Sequence, residues 1–406
     1  MFKLTLSARV GRIKPSSTLA VSARAKALKA EGRDILDLGV GEPDFDTPEA
    51  IKDAAIGAIR NGFTKYTATD GIASLKEAVC EKFARENGLD FTTSQILVSV
   101  GGKQSFYNLA QALLDTGDEV VIPAPYWVSY VDIALMADAT PVIIPTTIEQ
   151  NFKVSPEALD AALAFKTKLF VLNSPSNPTG ASYTRAELAA LGDVLRRYPQ
   201  VLIASDDMYE HIAWGDEPFT NIVNVCPDLA DRTIVLNGVS KAYAMTGWRI
   251  GYAAGPAALI NAMTKVQSQS TSNPTSIAQV AAEAALRSGT TFVTPMCRAF
   301  KARHDWMHQA LTSLPGVRCR AGDGTFYLFP EMKGALKNLG LPDDQVLAEH
   351  LLEQTGIAAV PGSAFGAPGY LRFSYAASDQ ILAEAIARLR RFLSGEVGAG
   401  LRSGIP

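Results

Sequence analysis

Cysteine is scarce in this chain, and its spacing excludes two classes of protein. Only four cysteines occur among 406 residues, and no two of them form a CxxC pair. They are Cys80, Cys226, Cys297 and Cys319. The pattern argues against a disulfide framework and against a zinc-ribbon site.

Histidine is equally scarce, with four in the whole chain. His304 and His308 have the i, i+4 spacing of a metal-binding helix, but the glutamate of a zincin helix is missing between them. A solvated or half-buried helical face is the favoured interpretation. We therefore predict no metal site.

The chain also lacks a strong charge of either sign and any long apolar run. Lys and Arg number 38 against 41 Asp and Glu, which argues against a protein that binds nucleic acid by neutralising phosphates. No run approaches the roughly 18 apolar residues of a membrane-spanning helix, so we expect no membrane partner. Hydrophobic residues make up 47% of the chain, which is ample for a buried core.

Acidic residues are absent from residues 1–30, although seven basic residues occur there. Such a segment has the composition of an organellar transit peptide, or of an arm that binds an anion. It lacks the apolar core and cleavage site of a secretory signal, so secretion is disfavoured.

Short β-branched runs alternate with helical patterns between about residues 90 and 255. The predicted strands are Ile96–Val100, Glu119–Ile122, Pro141–Ile144, Leu169–Asn173, Val201–Ser205, Thr233–Asn237 and Arg249–Ala254. Amphipathic stretches such as Thr184–Tyr198 separate several of them. This alternation predicts an α/β fold in which a mostly parallel central sheet has helices on both faces and ligands at the carboxyl ends of its strands.

Beyond residue 257 helical patterns dominate, and they predict a smaller α+β domain. Helix-compatible stretches run from 257 to 289, over Ala299–Leu311 and over Asp343–Thr355, with strand-like pieces at Gly324–Phe329 and Tyr370–Ala376. We predict an N-terminal arm and part of the small domain in 1–47, a large ligand-binding domain in 48–290, a small C-terminal domain in 291–394 and a flexible Gly-rich tail in 395–406.

Three strand ends carry residues suited to a planar, phosphorylated ligand. Gly101 and Gly102 stand between a strand and a helix, where free backbone N–H groups attract an anion. The sequence GGKQ does not match the GxGxxG of dinucleotide-binding folds, and an ordinary βα turn would look the same. Trp127 offers a flat face for stacking, although such an aromatic is often core. The polar loop Asn173–Gly180 is also compatible with a simple turn.

Two further strand ends carry charged groups. Asp206 ends a strand, where a nearly buried carboxylate needs a cationic partner such as a protonated ring nitrogen; helix capping is the alternative. Lys241 follows the next strand, and desolvation there would lower its pKa and make it an amine nucleophile; an ordinary surface lysine is the alternative. Arg249 is suited to a phosphate. Together these groups predict pyridoxal 5′-phosphate, because its pyridine nitrogen pairs with an aspartate and its aldehyde reacts with a lysine.

In their order along the chain, these motifs resemble the class I aminotransferases of the fold-type I pyridoxal-phosphate family, in the aspartate aminotransferase branch. The similarity begins near Leu6, ends at LRFSY (Leu371–Tyr375) and covers nearly the entire chain. It is carried by GEPDFDTP, TKYTATDG, GGKQ, PYWVSY, NSPSNPTG, SDDMYEH and SKAYAMTGWRIGY. Two positions depart from the usual pattern: GVSK replaces SxSK before the lysine, and Asp206-Asp207 replaces Asp-Glu.

The resemblance implies a role for each matching residue. The implied catalytic residues are Lys241, as Schiff-base and proton-shuttling residue, Asp206 at the pyridine nitrogen and Tyr209 at the ring oxygen. The other cofactor-binding residues are Gly102, Lys103, Gln104, Trp127, Asn177, Ser240 and Arg249, with Tyr66 contributed by a partner subunit. The substrate-binding residues are Gly41, Trp127, Asn177 and Arg372 at the amino-acid end, Lys103 at a distal carboxylate and Lys14 for prephenate.

The implied reaction moves an amino group between L-aspartate and 2-oxoglutarate by a ping-pong mechanism, with oxaloacetate and L-glutamate as products. Prephenate amination to arogenate is the alternative, as main or second activity; a β-lyase or an aromatic aminotransferase on the same fold is a further one. The resemblance also implies a homodimer with shared active sites. Because it begins near Leu6, little remains to be cleaved as a transit peptide, and a cytoplasmic location is expected.

Overall fold

The computed structural model describes residues 4–15 and 17–396. Most of the predicted tail, 395–406, lies outside the described residues. The strands are β1 (Leu36–Asp37), β2 (Ile96–Ser99), β3 (Glu119–Ala124), β4 (Thr140–Pro145), β5 (Thr167–Asn173), β6 (Leu202–Asp206), β7 (Thr233–Gly238), β8 (Gly251–Ala254), β9 (Tyr327–Leu328), β10 (Ile357–Ala358), β11 (Val360–Pro361) and β12 (Leu371–Ser374).

The α-helices alternate with these strands in the first two thirds of the chain and dominate the last third. They are α1 (Ala8–Arg12), α2 (Ser17–Ala30), α3 (Glu49–Arg60), α4 (Ala73–Lys82), α5 (Gly102–Leu113), α6 (Ser129–Met136), α7 (Pro156–Ala162), α8 (Arg185–Arg196), α9 (Ile222–Val225), α10 (Ala257–Ser270), α11 (Ser276–Arg287), α12 (Val293–Thr312), α13 (Lys333–Leu339), α14 (Asp344–Thr355) and α15 (Asp379–Leu393).

The central sheet has seven strands in the order β2-β8-β7-β6-β5-β3-β4. β8 runs antiparallel to its neighbours β2 and β7, and the other neighbouring strands are parallel. The predicted mostly parallel sheet is therefore confirmed. Because β8 is reversed, residues that precede it lie at the same edge of the sheet as residues that follow the parallel strands.

Both faces of this sheet are buried under helices. Val120 and Ile122 of β3 share a core with residues of α5, α6 and α10, whereas Val121 shares another core with residues of α7 and α8. Near β2 and β8, the second face is covered by α3, α4 and α11. Successive strand residues point to opposite faces, so a strand covered on both sides is apolar throughout.

The two ends of the chain meet in a further core. Leu36 and Leu38 lie in one apolar cluster with Phe300, Leu351 and Phe373. β1 pairs in parallel with β10, and β11, β12 and β9 form a small antiparallel sheet. Residues before the large sheet and residues after it therefore build the same part of the molecule.

The basic N-terminal arm is held to the body by ion pairs. Arg9 and Arg12 both pair with Asp138, and Arg24 pairs with Glu353 at 2.8 Å. These basic residues are therefore matched by acids elsewhere in the chain. Among the described helices, none is long and apolar enough to cross a membrane.

Three elements differ from the sequence prediction. The stretch 257–289 divides into α10 and α11 around Pro274, which lacks the N–H that would continue a helix. β8 begins after Arg249, because that residue has a left-handed φ of +56°. In the predicted strand Gly324–Phe329, the continuous strand is reduced to β9, because Thr325 has a φ of +69°, and Gly324 forms only an isolated bridge with Ala213.

Candidate active site

A cavity of about 350 Å³ opens where the carboxyl ends of the central strands face the core that joins the chain ends. This volume lies in the range of small-molecule sites. Among the residues predicted for the site, those that line it are Gly41, Gly102, Lys103, Trp127, Asn177, Asp206, Tyr209, Ser240, Lys241, Arg249 and Arg372. They come from far apart in the sequence, and the strand ends bring them together.

One side of the cavity leaves room for a close anion. Gly101 precedes α5 with a φ of +83°, and among the described residues no side chain caps this helix. A Cβ on Gly101 would lie 2.3 Å from Nη2 of Arg249, and a Cβ on Gly251 would lie 2.3 Å from the backbone nitrogen of Gly102. The N-terminus of α5 and the Arg249 guanidinium therefore adjoin a space that only glycines leave open. This arrangement fits a phosphate.

Arg249 reaches this side because it precedes the reversed strand β8. Its Nη1 donates to the Thr246 carbonyl at 2.9 Å. Its Nη2 donates to the Val100 carbonyl at 3.5 Å. Both partners are neutral, and Arg249 has no ion pair among the described residues, which leaves its positive charge available for an anion.

Asp206, the last residue of β6, is a half-buried carboxylate whose pKa is raised by burial. Tyr130 donates its O–H to Oδ2, and the Met208 N–H donates to Oδ1 at 3.2 Å. Within the described part of the chain, Asp206 has hydrogen bonds but no ion pair. A protonated ring nitrogen would supply the missing positive charge.

Lys241 follows β7 and enters the same cavity. Its Nζ donates to the Gly41 carbonyl at 2.6 Å. Burial, together with the positive charges of Arg372 and Arg249, lowers the pKa of Lys241 to about 8. An amine with such a pKa is available as a nucleophile and as a base near neutral pH.

Arg372 of β12 is a buried guanidinium, with only 2% of its surface exposed. Its Nη1 donates to Oδ1 of Asn177 at 3.0 Å, and its Nη2 donates to the Gly39 carbonyl at 2.7 Å. The guanidinium lies 4.3 Å from the centre of the Tyr327 ring. Its Nε has no hydrogen-bond partner among the described residues. A buried cation with neutral partners and a free donor is suited to a carboxylate.

Lys103 and Trp127 form another wall. The Lys103 ammonium lies 5.5 Å from the centre of the Trp127 ring. Partial burial and the positive charge of Arg249 lower the pKa of Lys103. Lys103 therefore adds a cation to the cavity besides Lys241, Arg249 and Arg372.

Tyr209 presents a neutral phenol to the cavity. Its hydroxyl lies 3.0 Å from the hydroxyl of Tyr327. Burial, and next the neighbouring Tyr327, raises the pKa of Tyr209 well above its usual 10. Tyr209 is therefore protonated at neutral pH and able to donate a hydrogen bond.

Three predicted site residues do not line this cavity. Lys14 lines a neighbouring cavity of about 630 Å³, because the arm directs it there and its backbone N–H donates to Asp132 at 3.1 Å. The Gln104 side chain bonds to Val100 and Thr271 instead. The Tyr66 side chain points to solvent with 92% of its surface exposed.

Several lining residues were not predicted, and Tyr130 is the clearest of them. It stands at i+3 from Trp127 within the quoted motif PYWVSY, a spacing that places both on one side of a helical turn. Asn173 was also missed: its Nδ2 donates to the Asp206 carbonyl at 2.9 Å, and its Oδ1 accepts the Asn177 N–H at 2.9 Å. Tyr327 and Thr18 also line the cavity, and no sequence motif pointed to them.

Two groups of potential metal ligands have other partners. The donor atoms of Glu86, Glu210 and His211 lie within 4.8 Å of one another, but the Lys82 ammonium contacts Glu210 and lies 3.9 Å from Glu86. His304 is buried, and its Nε2 accepts the Gly322 N–H at 3.0 Å. The i, i+4 histidines thus belong to the packing of α12.

The α/β fold and this cavity define a protein that can hold a phosphorylated pyridine aldehyde, because an amine, a carboxylate and a phosphate cradle surround one space. The sequence profile of the family described as aminotransferase class I and II matches residues 33–389. The chain belongs to this family, whose class I members use pyridoxal 5′-phosphate.

The relatives cover nearly the whole chain. An aspartate/prephenate aminotransferase of Nitrosomonas europaea is 57% identical over 397 residues, which are 96% of this chain and 100% of that protein. An aspartate/prephenate aminotransferase of Cereibacter sphaeroides is 54% identical, and the alignment covers 96% of this chain and 99% of that protein.

Solved structures agree with these relatives. The aspartate aminotransferase from Rhizobium meliloti has a TM-score of 0.92 at 44% identity, and the alignment covers 97% of this chain and 99% of that one. The aspartate aminotransferase from Thermus thermophilus, solved with maleate, has a TM-score of 0.90 at 42% identity. This alignment covers 96% of the chain described here and 100% of the Thermus thermophilus chain.

Proposed function

We propose that this aminotransferase moves the amino group between L-aspartate and 2-oxoglutarate, with oxaloacetate and L-glutamate as products of a ping-pong cycle. The observation that carries the proposal is a single cavity that holds Lys241 with a lowered pKa, Asp206 with a raised pKa and Arg372, whose Nε finds no hydrogen-bond partner in the part of the chain that the structure describes. The names of the relatives support aspartate as the amino-acid substrate.

The residues around the cavity fit the cofactor of the family. When bound, pyridoxal 5′-phosphate supplies an aldehyde that condenses with amino groups and a ring that withdraws electrons from the substrate. We assign its phosphate to the backbone N–H groups of Gly102 and Lys103, with Gln104 next to them, and to the side chains of Ser240 and Arg249.

Each remaining residue has a role that follows from its charge. Asp206 holds a proton at the ring nitrogen, because a buried carboxylate is stabilised by a positive partner. Tyr209 donates its hydroxyl, together with the Asn177 amide, toward the ring oxygen. Trp127 offers an aromatic face to the ring. The free Lys241 amine takes the proton from the substrate Cα and returns it as an acid, which a pKa near 8 permits.

Two cations recognise the substrate. Arg372 binds the α-carboxylate, with help from Asn177 and from the backbone of Gly41. Lys103 binds the distal carboxylate of a dicarboxylic acid. The Thermus thermophilus relative was solved with maleate, which is itself a dicarboxylate, and this supports a second cationic contact.

Replacing the cavity lysine tests the reaction. The purified protein is expected to show a visible absorbance band that disappears in Lys241→Ala, and the aspartate–2-oxoglutarate rate is expected to fall on the order of 1,000-fold or more. Lys265 is an exposed lysine of α10, and the control variant Lys265→Ala is expected to keep both the absorbance band and the rate. A colourless protein that does not respond to added cofactor would contradict the proposal. So would release of pyruvate in place of an amino-group transfer, which would indicate a β-lyase.

Replacing Lys103 tests the substrate class. Lys103→Ala is expected to lower the preference for aspartate over alanine by about tenfold, since one charge-assisted contact contributes roughly 1.5 kcal/mol or more. The ratio of kcat/KM for the two amino acids measures it. An unchanged ratio would show that Lys103 does not bind the distal carboxylate.

Prephenate is a second substrate candidate. The relatives named aspartate/prephenate aminotransferase favour it, and Lys14 lines a cavity that shares Val128 with the first one. We expect Lys14→Ala to lower kcat/KM for prephenate while leaving that for 2-oxoglutarate within about twofold. Equal losses for both substrates would argue against a prephenate contact.

We also propose a cytoplasmic homodimer in which Tyr66 completes the phosphate site of the partner. The exposed Tyr66 and the apolar Ile59 and Phe63 beside it support an interface there. We retain the division into 1–47, 48–290 and 291–394 as a proposal, supported by the core that joins both chain ends. Sedimentation velocity tests the dimer, and a monomer with full activity would contradict the shared site.

A further inference from the structure

A polar network lies behind the active-site cavity without lining it. Lys82, Asn87, Glu210 and Asn237 form what we call the Glu210 network. The side chains of Lys82 and Glu210 are 0% and 3% exposed, and their charged groups are in direct contact. Lys82 also donates to Oδ1 of Asn87 at 2.7 Å.

Glu210 is the centre of this network because it accepts from three sides. Oε1 accepts from Lys82 and, at 2.8 Å, from Nδ2 of Asn237; Oε2 accepts from Nδ2 of Asn87 at 2.6 Å. Burial favours the protonated form of Glu210, but the charges of Lys82 and His211 outweigh it and lower the pKa to about 2. The carboxylate is therefore ionised and holds its donors at any physiological pH.

Two segments of the active site meet at this carboxylate. Glu210 directly follows Tyr209, which lines the cavity. Asn237 donates to Glu210 and uses its Oδ1 to accept the N–H of Gly238, at 2.7 Å, three residues before Lys241. The Asn237 amide is thus bonded at one end to the Tyr209 segment and at the other end to the Lys241 segment.

The location of this contact makes it important. The strand pairing of β6 and β7 ends at Asp206 and Leu236. Beyond that pair, β6 leads into the Tyr209 segment, whereas β7 stays paired with β8 through Gly238 and Gly251 before it leads to Lys241. Gly238 has little freedom of its own, since a Cβ there would lie 3.0 Å from Cα of Gly251. A shift of Gly238 would therefore reach the phosphate side of the cavity as well.

We propose that Asn237, held by Glu210, is a positioning residue that fixes Lys241 relative to Tyr209. The inference rests on the roles proposed above for Lys241 and Tyr209. Asn237 touches neither substrate nor reacting atoms and acts through the backbone of Gly238. Because small misplacements of reacting groups are costly, loss of this amide is expected to lower kcat more than it weakens the binding of the amino-acid substrate.

A matched pair of variants tests the proposal, since Asn87 and Asn237 each donate one amide hydrogen bond to Glu210. Asn237→Ala is expected to lower kcat by about tenfold or more with KM within about twofold, and to shift the pH midpoint of the visible absorbance band. Asn87→Ala, on the side away from the cavity, is expected to keep kcat and this midpoint near the wild-type values. Equal effects of the two variants on kcat and on the midpoint would overturn the proposal.

Binding of the cofactor to the empty protein gives a readout that needs no turnover. Titration of the cofactor-free variants with pyridoxal 5′-phosphate, followed by tryptophan fluorescence, is expected to show weaker binding for Asn237→Ala than for Asn87→Ala. If Asn237→Ala does not fold, Asn237→Ser replaces it, because the hydroxyl keeps a polar group next to Gly238, removes the amide that donates to Glu210 and adds no charge beside that carboxylate. Wild-type kcat and midpoint in that variant would overturn the proposal. Failure of the proposed function would appear separately, as a visible band that persists in Lys241→Ala.

Discussion

Asp206 and Glu210 are carboxylates four residues apart whose pKa values are shifted in opposite directions. Burial acts on both. The pKa of Asp206 is raised, whereas the pKa of Glu210 is lowered to about 2 by Lys82 and His211, which outweigh burial. The two buried lysines differ in their partners. Lys82 contacts a carboxylate, whereas the Lys241 amine lies near the positive charges of Arg372 and Arg249, and its pKa is lowered to about 8.

The difference distinguishes a network whose charges are balanced within the chain from a cavity whose charges are not. In the Glu210 network, each charge is balanced by residues of the chain itself. In the active-site cavity, Asp206, Lys241 and Arg372 lack such partners among the described residues. Unbalanced buried charges lower the stability of a fold, so their presence in one cavity indicates that a ligand completes them.

Breaking the complete network is expected to have the largest effect on stability. Lys82→Met leaves Glu210 buried without its cation, and we expect the free energy of unfolding to fall by about 3–5 kcal/mol. Urea denaturation of the cofactor-free protein measures it. The double variant Lys82→Met/Glu210→Gln carries no unpaired charge and is expected to recover most of the loss. A single variant as stable as the wild type would show that the pair contributes nothing.

Acid is expected to remove the same contribution more gradually. A carboxyl whose pKa is about 2 in the folded protein and 4.5 when unfolded stabilises the fold above pH 4.5 and loses this effect as the pH falls toward 2. For Glu210 the change is on the order of 3 kcal/mol. Denaturation midpoints between pH 6 and pH 2 measure it, and the double variant above is expected to have a shallower dependence. Identical slopes would place the acid sensitivity elsewhere.

In the incomplete site, removal of a charge is expected to stabilise the protein. At pH 7 the folded protein holds Lys241 protonated near Arg372 and Arg249, against a pKa of about 8 rather than 10.5. Lys241→Met should raise the free energy of unfolding by about 2–3 kcal/mol at pH 7 in the cofactor-free protein. This gain should shrink as the pH rises from 8 to 10.5, where the amine becomes neutral in both states. A gain that does not change with pH would mean that packing, not charge, is responsible.

The smallest effect is expected at the edge of the site. Tyr130→Phe removes the hydroxyl that donates to Asp206, and this raises the pKa of Asp206 further. We expect the affinity for pyridoxal 5′-phosphate to fall about tenfold, which corresponds to roughly 1.4 kcal/mol. Tyr198→Phe is the control, because Tyr198 also donates to a carboxylate, at 2.9 Å from Oδ1 of Asp160, and neither of these two residues lines the cavity. Equal affinities in both variants would contradict the role of Tyr130.

The sequence was informative where a site residue directly follows a strand. Asp206 and Lys241 could be found in this way, because strand ends are local patterns and parallel strands share one edge. Arg372 was found only through the family resemblance, because nothing near it in the sequence marks the buried contact with Asn177. The Tyr130–Asp206 bond was missed because it joins positions 76 residues apart.

Helix geometry explains a further difference. Gln104 follows Lys103 directly, yet the Lys103 side chain lines the cavity and the Gln104 side chain bonds to Thr271. Successive residues of an α-helix are rotated by about 100° around its axis, so a motif does not give its members a common direction. The three-dimensional structure is needed to decide which side chains of α5 face the cavity.

The contact between Arg372 and the Gly39 carbonyl spans 333 positions of the chain. During synthesis from the N-terminus, every strand of the central sheet is made before Arg372, the residue to which we assign the substrate carboxylate. All residues that we assign to the cofactor precede it in the sequence as well. On this assignment, the group that recognises the amino-acid carboxylate is the last residue of the cavity to be synthesised.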